Sequence, residues 1–193
     1  MSAVNKLYPI FLKPAQLDIL LVGGGFVALE KLQFLFKSSP DAKVTLVSPM
    51  LRKETATFIK NKKVTTITAH YHSKYLEGKH LVIATTNKPQ VNQTVQRDCR
   101  ARHILVNVAD VPDRCDFYMG GIVTKGQLKI AISTNGQSPT LAKRMRQWLE
   151  YLLPEDIDNL LTLLNTYRNT LKTDFENKVK TMEKITQDLI AKQ

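Results

Sequence analysis

The chain has 193 residues, of which 43% are hydrophobic and 23% charged, so it can bury a sizeable core and is not a disordered chain. Its formal net charge is +11, and residues 1–110 hold 16 Lys/Arg against 7 Asp/Glu, whereas the remaining residues hold 12 against 10. A basic excess of this size favours an acidic partner for the first part of the chain: nucleic acid, a membrane surface or a polyanionic small molecule.

The cysteine content and the apolar runs exclude further classes of protein. Cys99 and Cys115 are too few and too far apart for a disulfide framework or a Cys-x-x-Cys metal site, so we expect two reduced, inert thiols. The longest apolar stretch, residues 19–29, contains three glycines and is too short to span a bilayer. The N-terminus lacks the layout of a signal peptide. We therefore expect a cytoplasmic protein without a membrane partner.

Short apolar runs alternate with helical patterns over the first 110 residues. This alternation predicts βαβ units and a mostly parallel sheet covered on both faces. The predicted strands are residues 18–22, 44–47, 64–71, 80–84 and 103–108. The predicted helices between them are residues 26–37, 51–61 and 90–102.

The pattern changes after Asp110. Residues 122–123 and 128–133 are typical of a β-hairpin, and Ser138-Pro139 is a typical helix start for a helix that ends near Leu153. Two further amphipathic helical stretches follow Pro154. The fold class is therefore α/β, with a Rossmann-type sheet (1–112), a strand-plus-helix module (113–153) and a helical C-terminal region (154–193).

A glycine-rich turn between the first strand and the first helix is the most informative motif. Gly23, Gly25 and Ala28 fit G-x-G-x-x-A, in which the glycines allow a tight turn and close approach of a pyrophosphate, and the alanine allows close helix packing. The alternative is a tight turn that binds nothing. The predicted dinucleotide-binding residues are Gly23, Gly24, Gly25, Phe26, Val27, Ser48, Pro49, Thr85 and Thr86.

The second strand lacks the acidic residue that usually binds the ribose hydroxyls of NAD at its end. The sequence there is Val47-Ser48-Pro49-Met50, and Arg52 and Lys53 follow shortly after. NAD is the expected cofactor, and the two basic residues leave NADP open.

Five segments resemble the precorrin-2 dehydrogenase/sirohydrochlorin ferrochelatase family. They are residues 8–12 (Tyr-Pro-Ile-Phe-Leu), 21–31 with the glycine turn, 82–92 (Val-Ile-Ala-Thr-Thr-Asn to Val-Asn), 105–110 (Leu-Val-Asn-Val-Ala-Asp) and 130–146 (Ile-Ala-Ile-Ser-Thr to Ser-Pro, Leu-Ala and Arg). The sequence departs from the family at Gly120-Gly121, where Pro-Ala is usual, and at Asn135-Gly136, where Gly-Gly is usual.

The resemblance implies an enzyme of sirohaem biosynthesis. Such proteins oxidise precorrin-2 to sirohydrochlorin with NAD, many then insert ferrous iron as a substrate, and they form homodimers through the region that corresponds to residues 113–153. Precorrin-2 carries eight carboxylates, so the basic excess would suit a polycarboxylate tetrapyrrole, and no nucleic-acid partner is then needed.

Asp110 is the predicted catalytic base. Its position after the fifth strand also fits a turn or helix-capping aspartate, and the resemblance favours proton transfer. The remaining predicted substrate residues are Asn107, near the end of the fifth strand, and four residues of one loop, whose alternative is a simple strand-to-helix turn. The loop residues are Ser133, Thr134, Asn135 and Gly136.

Two other classes of function compete with the enzyme. A regulatory module would bind NAD through its Rossmann half without catalysis, and a nucleic-acid-binding protein would use the net charge but leave the glycine turn unexplained. His70 and His72 share one face of a predicted strand and could form a metal pair, but no third ligand lies near them in sequence. We therefore predict no metal site.

Overall fold

A computed structural model describes residues 5–109 and 111–187. The chain divides into two units. The first lies within residues 1–120 and 133–137, and the second within residues 121–132 and 138–193.

The first unit contains a five-stranded parallel sheet in the order β3-β2-β1-β4-β5. Its strands are β1 (Asp18–Val22), β2 (Lys43–Val47), β3 (Val64–Ile67), β4 (Leu81–Ala84) and β5 (Leu105–Val108). The register places Leu20 beside Thr45 of β2 on one side and Val82 of β4 on the other. The chain therefore extends outward from β1 in both directions, which is the doubly wound order of a Rossmann-type sheet.

Helices α1 (Phe26–Ser38), α2 (Lys53–Ile59) and α3 (Pro89–Arg100) connect the strands. Alternate residues of β1 belong to two different cores: Ile19 and Leu21 pack with α1, whereas Leu20 and Val22 pack with residues of α3. Because both faces of the sheet are covered, its strands are apolar along most of their length. The predicted α/β class is confirmed.

Strand β3 and helix α2 differ most in length from their predicted bounds. Strand β3 ends at Ile67 rather than residue 71, so His70 and His72 lie beyond it, and the His72 Nδ1 accepts a hydrogen bond from the Lys74 N–H at 3.1 Å. Helix α2 begins at Lys53 because Arg52, its N-cap residue, has extended backbone angles (φ −62°, ψ 143°). The Arg52 N–H, which has no acceptor within the helix, donates to the Gly24 carbonyl at 3.0 Å and ties this boundary to the glycine turn.

The second unit contains an antiparallel hairpin and three helices. The hairpin pairs β6 (Gly121–Lys125) with β7 (Leu128–Ile132), and the helices are α4 (Pro139–Leu152), α5 (Ile157–Thr170) and α6 (Phe175–Thr186). The Ser138 hydroxyl accepts from the Leu141 N–H at 3.1 Å, which caps α4 as predicted. Asp158 of α5 accepts from the Gln127 N–H in the hairpin turn at 2.8 Å. No helix in the described part of the chain is long and apolar enough to cross a membrane.

Candidate dinucleotide-binding site

The predicted cofactor residues lie at the carboxyl edge of the parallel sheet. Gly23 follows β1, Ser48 follows β2 and Thr85 follows β4, and these three strands are neighbours. Ligands of open parallel sheets bind outside this edge, where the strand order reverses. In this chain the reversal falls between β1 and β4, directly beside the glycine turn.

Gly23 allows the turn to close against Thr85. Its φ of +116° disfavours any side chain, and a Cβ there would lie 2.8 Å from the Thr85 Oγ1 and 3.0 Å from the Thr85 carbonyl carbon. Thr85 in turn donates to the Val22 carbonyl twice, from its backbone N–H at 2.8 Å and from its hydroxyl at 3.0 Å. The predicted residues of β1 and β4 therefore form one hydrogen-bonded unit.

Gly24 allows the loop after β2 to pack on the turn. A Cβ at Gly24 would lie 2.6 Å from the Met50 carbonyl oxygen and 2.9 Å from the Ser48 Oγ. The Ser48 hydroxyl donates to that same Met50 carbonyl at 2.7 Å. Ser48 is buried and shapes the loop, whereas the neighbouring Pro49 is exposed.

Gly25 has the opposite surroundings. A Cβ built on Gly25 would have no protein atom within 4 Å, although Gly25 is the N-cap residue of α1 and offers no capping side chain. The N–H groups of a first helical turn have no intrahelical partner, and the helix dipole makes this end positive. No acidic residue lies in the first turn of α1. The open space and the unsatisfied donors fit the pyrophosphate of a dinucleotide.

Phe26 and Val27 form the start of α1. Val27 is half-buried, whereas the Phe26 ring is 63% exposed and lies under the Arg52 guanidinium, whose carbon is 5.6 Å from the ring centroid. The same guanidinium forms two hydrogen bonds to Glu54, from Nε at 2.7 Å and from Nη2 at 3.2 Å. An ion pair therefore lies over the start of the helix that would bind the phosphates.

The loop after β4 is held by Asn92 of α3. The Asn92 carboxamide oxygen accepts from the Thr86 backbone N–H at 3.2 Å and from its hydroxyl at 2.7 Å, while its NH₂ group donates to the Thr86 carbonyl at 2.9 Å. Asn92 is only 7% exposed. It fixes the backbone that would line the cofactor, a role that its six-residue spacing from Thr86 did not reveal.

Asn107 lies in β5, as predicted, and its side chain is buried within the first unit. It is 7% exposed, and its carboxamide donates to the Phe117 carbonyl at 2.8 Å and to the Cys115 Sγ at 3.4 Å. Burial raises the pKa of the Cys115 thiol, and burial raises that of Cys99 to about 12. Both thiols are therefore protonated at neutral pH. Asp110, the predicted base, lies outside the described residues.

The predicted substrate loop at 133–136 is grouped with the first unit. Asn135 and Gly136 adopt φ values of +53° and +75°, so asparagine takes the left-handed conformation at the position where the family usually has glycine. The Asn135 N–H donates to the Ser133 Oγ at 3.2 Å, and the Gln137 N–H donates to the Thr134 carbonyl at 3.0 Å. Ser133 and Gly136 are exposed, and Thr134 and Asn135 are half-buried.

Comparison with protein-family models gives two consecutive matches. Residues 10–121 match a family described as "Putative NAD(P)-binding", and residues 125–150 match the central region of sirohaem biosynthesis proteins. The fold and the glycine turn define a Rossmann-type dinucleotide-binding protein. Because the first match covers more than half of the sequence, the chain belongs to the NAD(P)-binding family.

Known relatives confirm the resemblance seen in the sequence. The chain is 38% identical over 166 residues to a siroheme synthase of Psychrobacter sp. (strain PRwf-1), covering 86% of this chain and 34% of that protein. It is also 38% identical over 169 residues to a siroheme synthase of Pseudoalteromonas translucida (strain TAC 125), covering 88% and 35%. It thus spans about a third of the length of these curated relatives.

A solved structure has the same fold. The structure of SirC, a precorrin-2 dehydrogenase, superposes with a TM-score of 0.71 at 23% sequence identity, covering 97% of this chain and 91% of that one. Among the described residues, no group of three or more His, Cys, Asp or Glu side chains is arranged to hold a metal ion.

Proposed function

We propose that this chain catalyses the NAD-dependent dehydrogenation of precorrin-2 to sirohydrochlorin in sirohaem biosynthesis. The observation that carries the proposal is the open space beside Gly25 at the start of α1, which we call the pyrophosphate cradle. It occurs in a chain whose residues 125–150 match sirohaem biosynthesis proteins. The named relatives are siroheme synthases, and the structure with the same fold is a precorrin-2 dehydrogenase.

The cofactor, when bound, supplies a hydride acceptor for the carbon that is oxidised. The chain itself supplies position and charge. The first turn of α1 binds the pyrophosphate through backbone N–H groups, and the Thr85–Thr86 loop lines the crevice toward the nicotinamide half. The polar groups of residues 133–136 bind substrate carboxylates.

Asp110 accepts the proton that precorrin-2 loses when the hydride leaves. It directly follows Ala109, whose N–H donates to the Ala84 carbonyl of β4 at 2.9 Å, so the preceding residue is anchored at the carboxyl edge. A carboxylate is a suitable base for a proton that becomes acidic as the hydride departs. We expect Asp110→Asn to bind NAD normally and to lose at least about a hundredfold in turnover. A near-normal rate would exclude Asp110 as the base.

Ferrous iron is the substrate of a second step that we propose for the same chain. Iron insertion requires removal of two pyrrole protons, and Asp110 would accept them one at a time, releasing the first to solvent before it takes the second. Supplying sirohydrochlorin and Fe²⁺ without NAD tests this step alone. Sirohaem formation no faster than the uncatalysed rate would restrict the chain to dehydrogenation.

A homodimer completes the proposal. One face of α4 carries large apolar side chains spaced by four, three and four residues, each between 37% and 57% exposed. They are Leu141, Met145, Trp148 and Leu152. Such a stripe is typical of a helix that packs against another helix, and the symmetric partner is a second copy of the chain. Light scattering on the purified chain distinguishes a dimer from a monomer.

The decisive experiment incubates the chain anaerobically with precorrin-2 and NAD⁺ and follows the absorbance of NADH. NADH formation that depends on both substrates supports the enzyme. Binding of NAD⁺ without turnover, with NADP⁺ equally inactive, would refute the proposed reaction and leave the regulatory module as the function.

A further inference from the structure

The loop between β2 and α2 carries an ion pair where a Rossmann-type site normally has a single acidic residue. Ser48 ends β2 and donates its hydroxyl to the Met50 carbonyl, so it is occupied within the loop. The next ionic groups along the chain are Arg52, Lys53 and Glu54. In this fold, this region contacts the adenosine ribose and distinguishes its 2′-hydroxyl from a 2′-phosphate.

Arg52 is anchored to the glycine turn rather than extended into solvent. Its backbone N–H donates to the Gly24 carbonyl at 3.0 Å, and its guanidinium stacks on the exposed Phe26 ring. Two contacts restrict the position of the Arg52 charge: the hydrogen bond from its main chain and the cation–π contact of its side chain. A guanidinium held in this way can bind a phosphate through two parallel hydrogen bonds.

Glu54 occupies those donors. It accepts from Nε and Nη2 of Arg52, and this pairing holds the pKa of the Glu54 carboxyl below its usual value, so the group is anionic at neutral pH. The two side chains remain 48% and 55% exposed. Because exposed ion pairs contribute little to stability, a ligand can compete for the guanidinium without unfolding the loop.

We propose that the Arg52–Glu54 pair sets the choice between NAD and NADP, with Glu54 selecting NAD. Glu54 neutralises the guanidinium and repels a 2′-phosphate, whereas the 2′-hydroxyl of NAD meets no such repulsion. Removing the carboxylate charge leaves an unneutralised arginine fork beside the ribose. The inference rests on the proposed function only in requiring that the chain binds a nicotinamide dinucleotide.

The test measures equilibrium binding of NAD⁺ and NADP⁺ by calorimetry, without precorrin-2. We expect the unmodified chain to prefer NAD⁺, and Glu54→Gln to shift the affinity ratio toward NADP⁺ by about tenfold. The double variant Arg52→Gln/Glu54→Gln should lose that gain. Glu77→Gln is the matched control: it makes the same charge change at an exposed residue just before β4 and should leave the ratio unchanged.

Each outcome decides the inference. If Glu54→Gln raises the affinity for both nucleotides equally, Arg52 binds the shared pyrophosphate, and if it changes neither affinity, the pair does not contact the ribose. Either result refutes the inference while NAD binding stands. Binding of neither nucleotide by the unmodified chain would refute the proposed function itself.

Discussion

Two neighbouring glycines of the turn should respond in opposite ways to the same substitution. Gly25→Ala places a methyl group in space where no protein atom lies within 4 Å, whereas Gly24→Ala places it 2.6 Å from the Met50 carbonyl oxygen. The first change should therefore affect only a bound ligand, and the second should affect the fold. The pair separates nucleotide binding from stability at adjacent positions.

For Gly25→Ala, two small terms oppose each other in the unfolding free energy. Backbone angles of φ −86° and ψ −159° suit alanine, and restricting the unfolded chain gains about 0.4–1 kcal/mol. Alanine is a poorer N-cap than glycine by a similar amount. We expect Tm to change by less than about 3 °C. The affinity for NAD⁺ should fall at least about tenfold because the methyl group takes the place of the pyrophosphate.

For Gly24→Ala, the nearest atom is the Met50 carbonyl oxygen, which belongs to the backbone and cannot rotate away, and the side-chain atoms Leu51 Cδ2 and Ser48 Oγ lie at 2.7 and 2.9 Å. Overpacking of this kind costs about 1–3 kcal/mol, which for a chain of this size lowers Tm by about 3–9 °C. Thermal melts and calorimetric titration with NAD⁺ measure both quantities on both variants. A Gly25→Ala variant that binds NAD⁺ as tightly as the unmodified chain would refute the pyrophosphate cradle. A Gly24→Ala variant with unchanged Tm would refute the packing argument.

Two further predictions follow from buried polar groups of the first unit. Asn92→Ala leaves the Thr86 backbone without its buried partner, so the free energy of unfolding should fall by about 2 kcal/mol in denaturant titrations, and a loss below about 0.5 kcal/mol would contradict the role of Asn92. The raised thiol pKa values keep Cys99 and Cys115 protonated at pH 8, so both should react with a disulfide reagent far more slowly in the native chain than in denaturant; rapid native labelling of Cys115 would oppose this.

Most of the fold could be predicted because its determinants are local. Strand β1 has the predicted bounds, since its apolar residues 19–22 lie between the polar Asp18 and the glycine turn. The start of α2 could not be predicted, because it depends on the extended backbone of Arg52, which a hydrogen bond ties to Gly24, a residue far from it in sequence. Apolar patterns in the sequence indicate that a strand exists, whereas contacts between residues distant in sequence determine where the adjoining helix begins.

In the candidate site, too, local features could be predicted from the sequence and long-range contacts could not. The roles of the glycines follow from the motif, but the sequence placed Asn107 among the substrate-binding groups without showing what covers it. Its side chain alternates with those of Val106 and Val108 and so points to the opposite face of the sheet. The segment that contains Phe117 packs on that face, and the Phe117 carbonyl accepts a hydrogen bond from the Asn107 amide. Only the path of a later segment could reveal this contact.

The basic excess that marks the first 110 residues takes on a different meaning once the sheet is known. Helices run back from the carboxyl edge, so residues at helix ends and strand starts gather at the amino edge. Eleven of the 16 Lys/Arg lie in such positions, and three lie just past the carboxyl edge. The eleven are Lys13, Lys37, Lys43, Lys60, Lys62, Lys63, Lys74, Lys79, Arg97, Arg100 and Arg102. The three are Arg52, Lys53 and Lys88.

Distance then decides what these charges can do for a ligand at the glycine turn. The five residues of β1 separate the two edges by about 17 Å at roughly 3.3 Å per residue, and the Debye length at physiological ionic strength is about 8 Å. Over two Debye lengths the attraction falls to about a seventh of its unscreened value. The amino-edge cations therefore contribute a weak general field, and recognition of an anionic ligand depends on the start of α1 and on Lys53 and Lys88, because Glu54 neutralises Arg52.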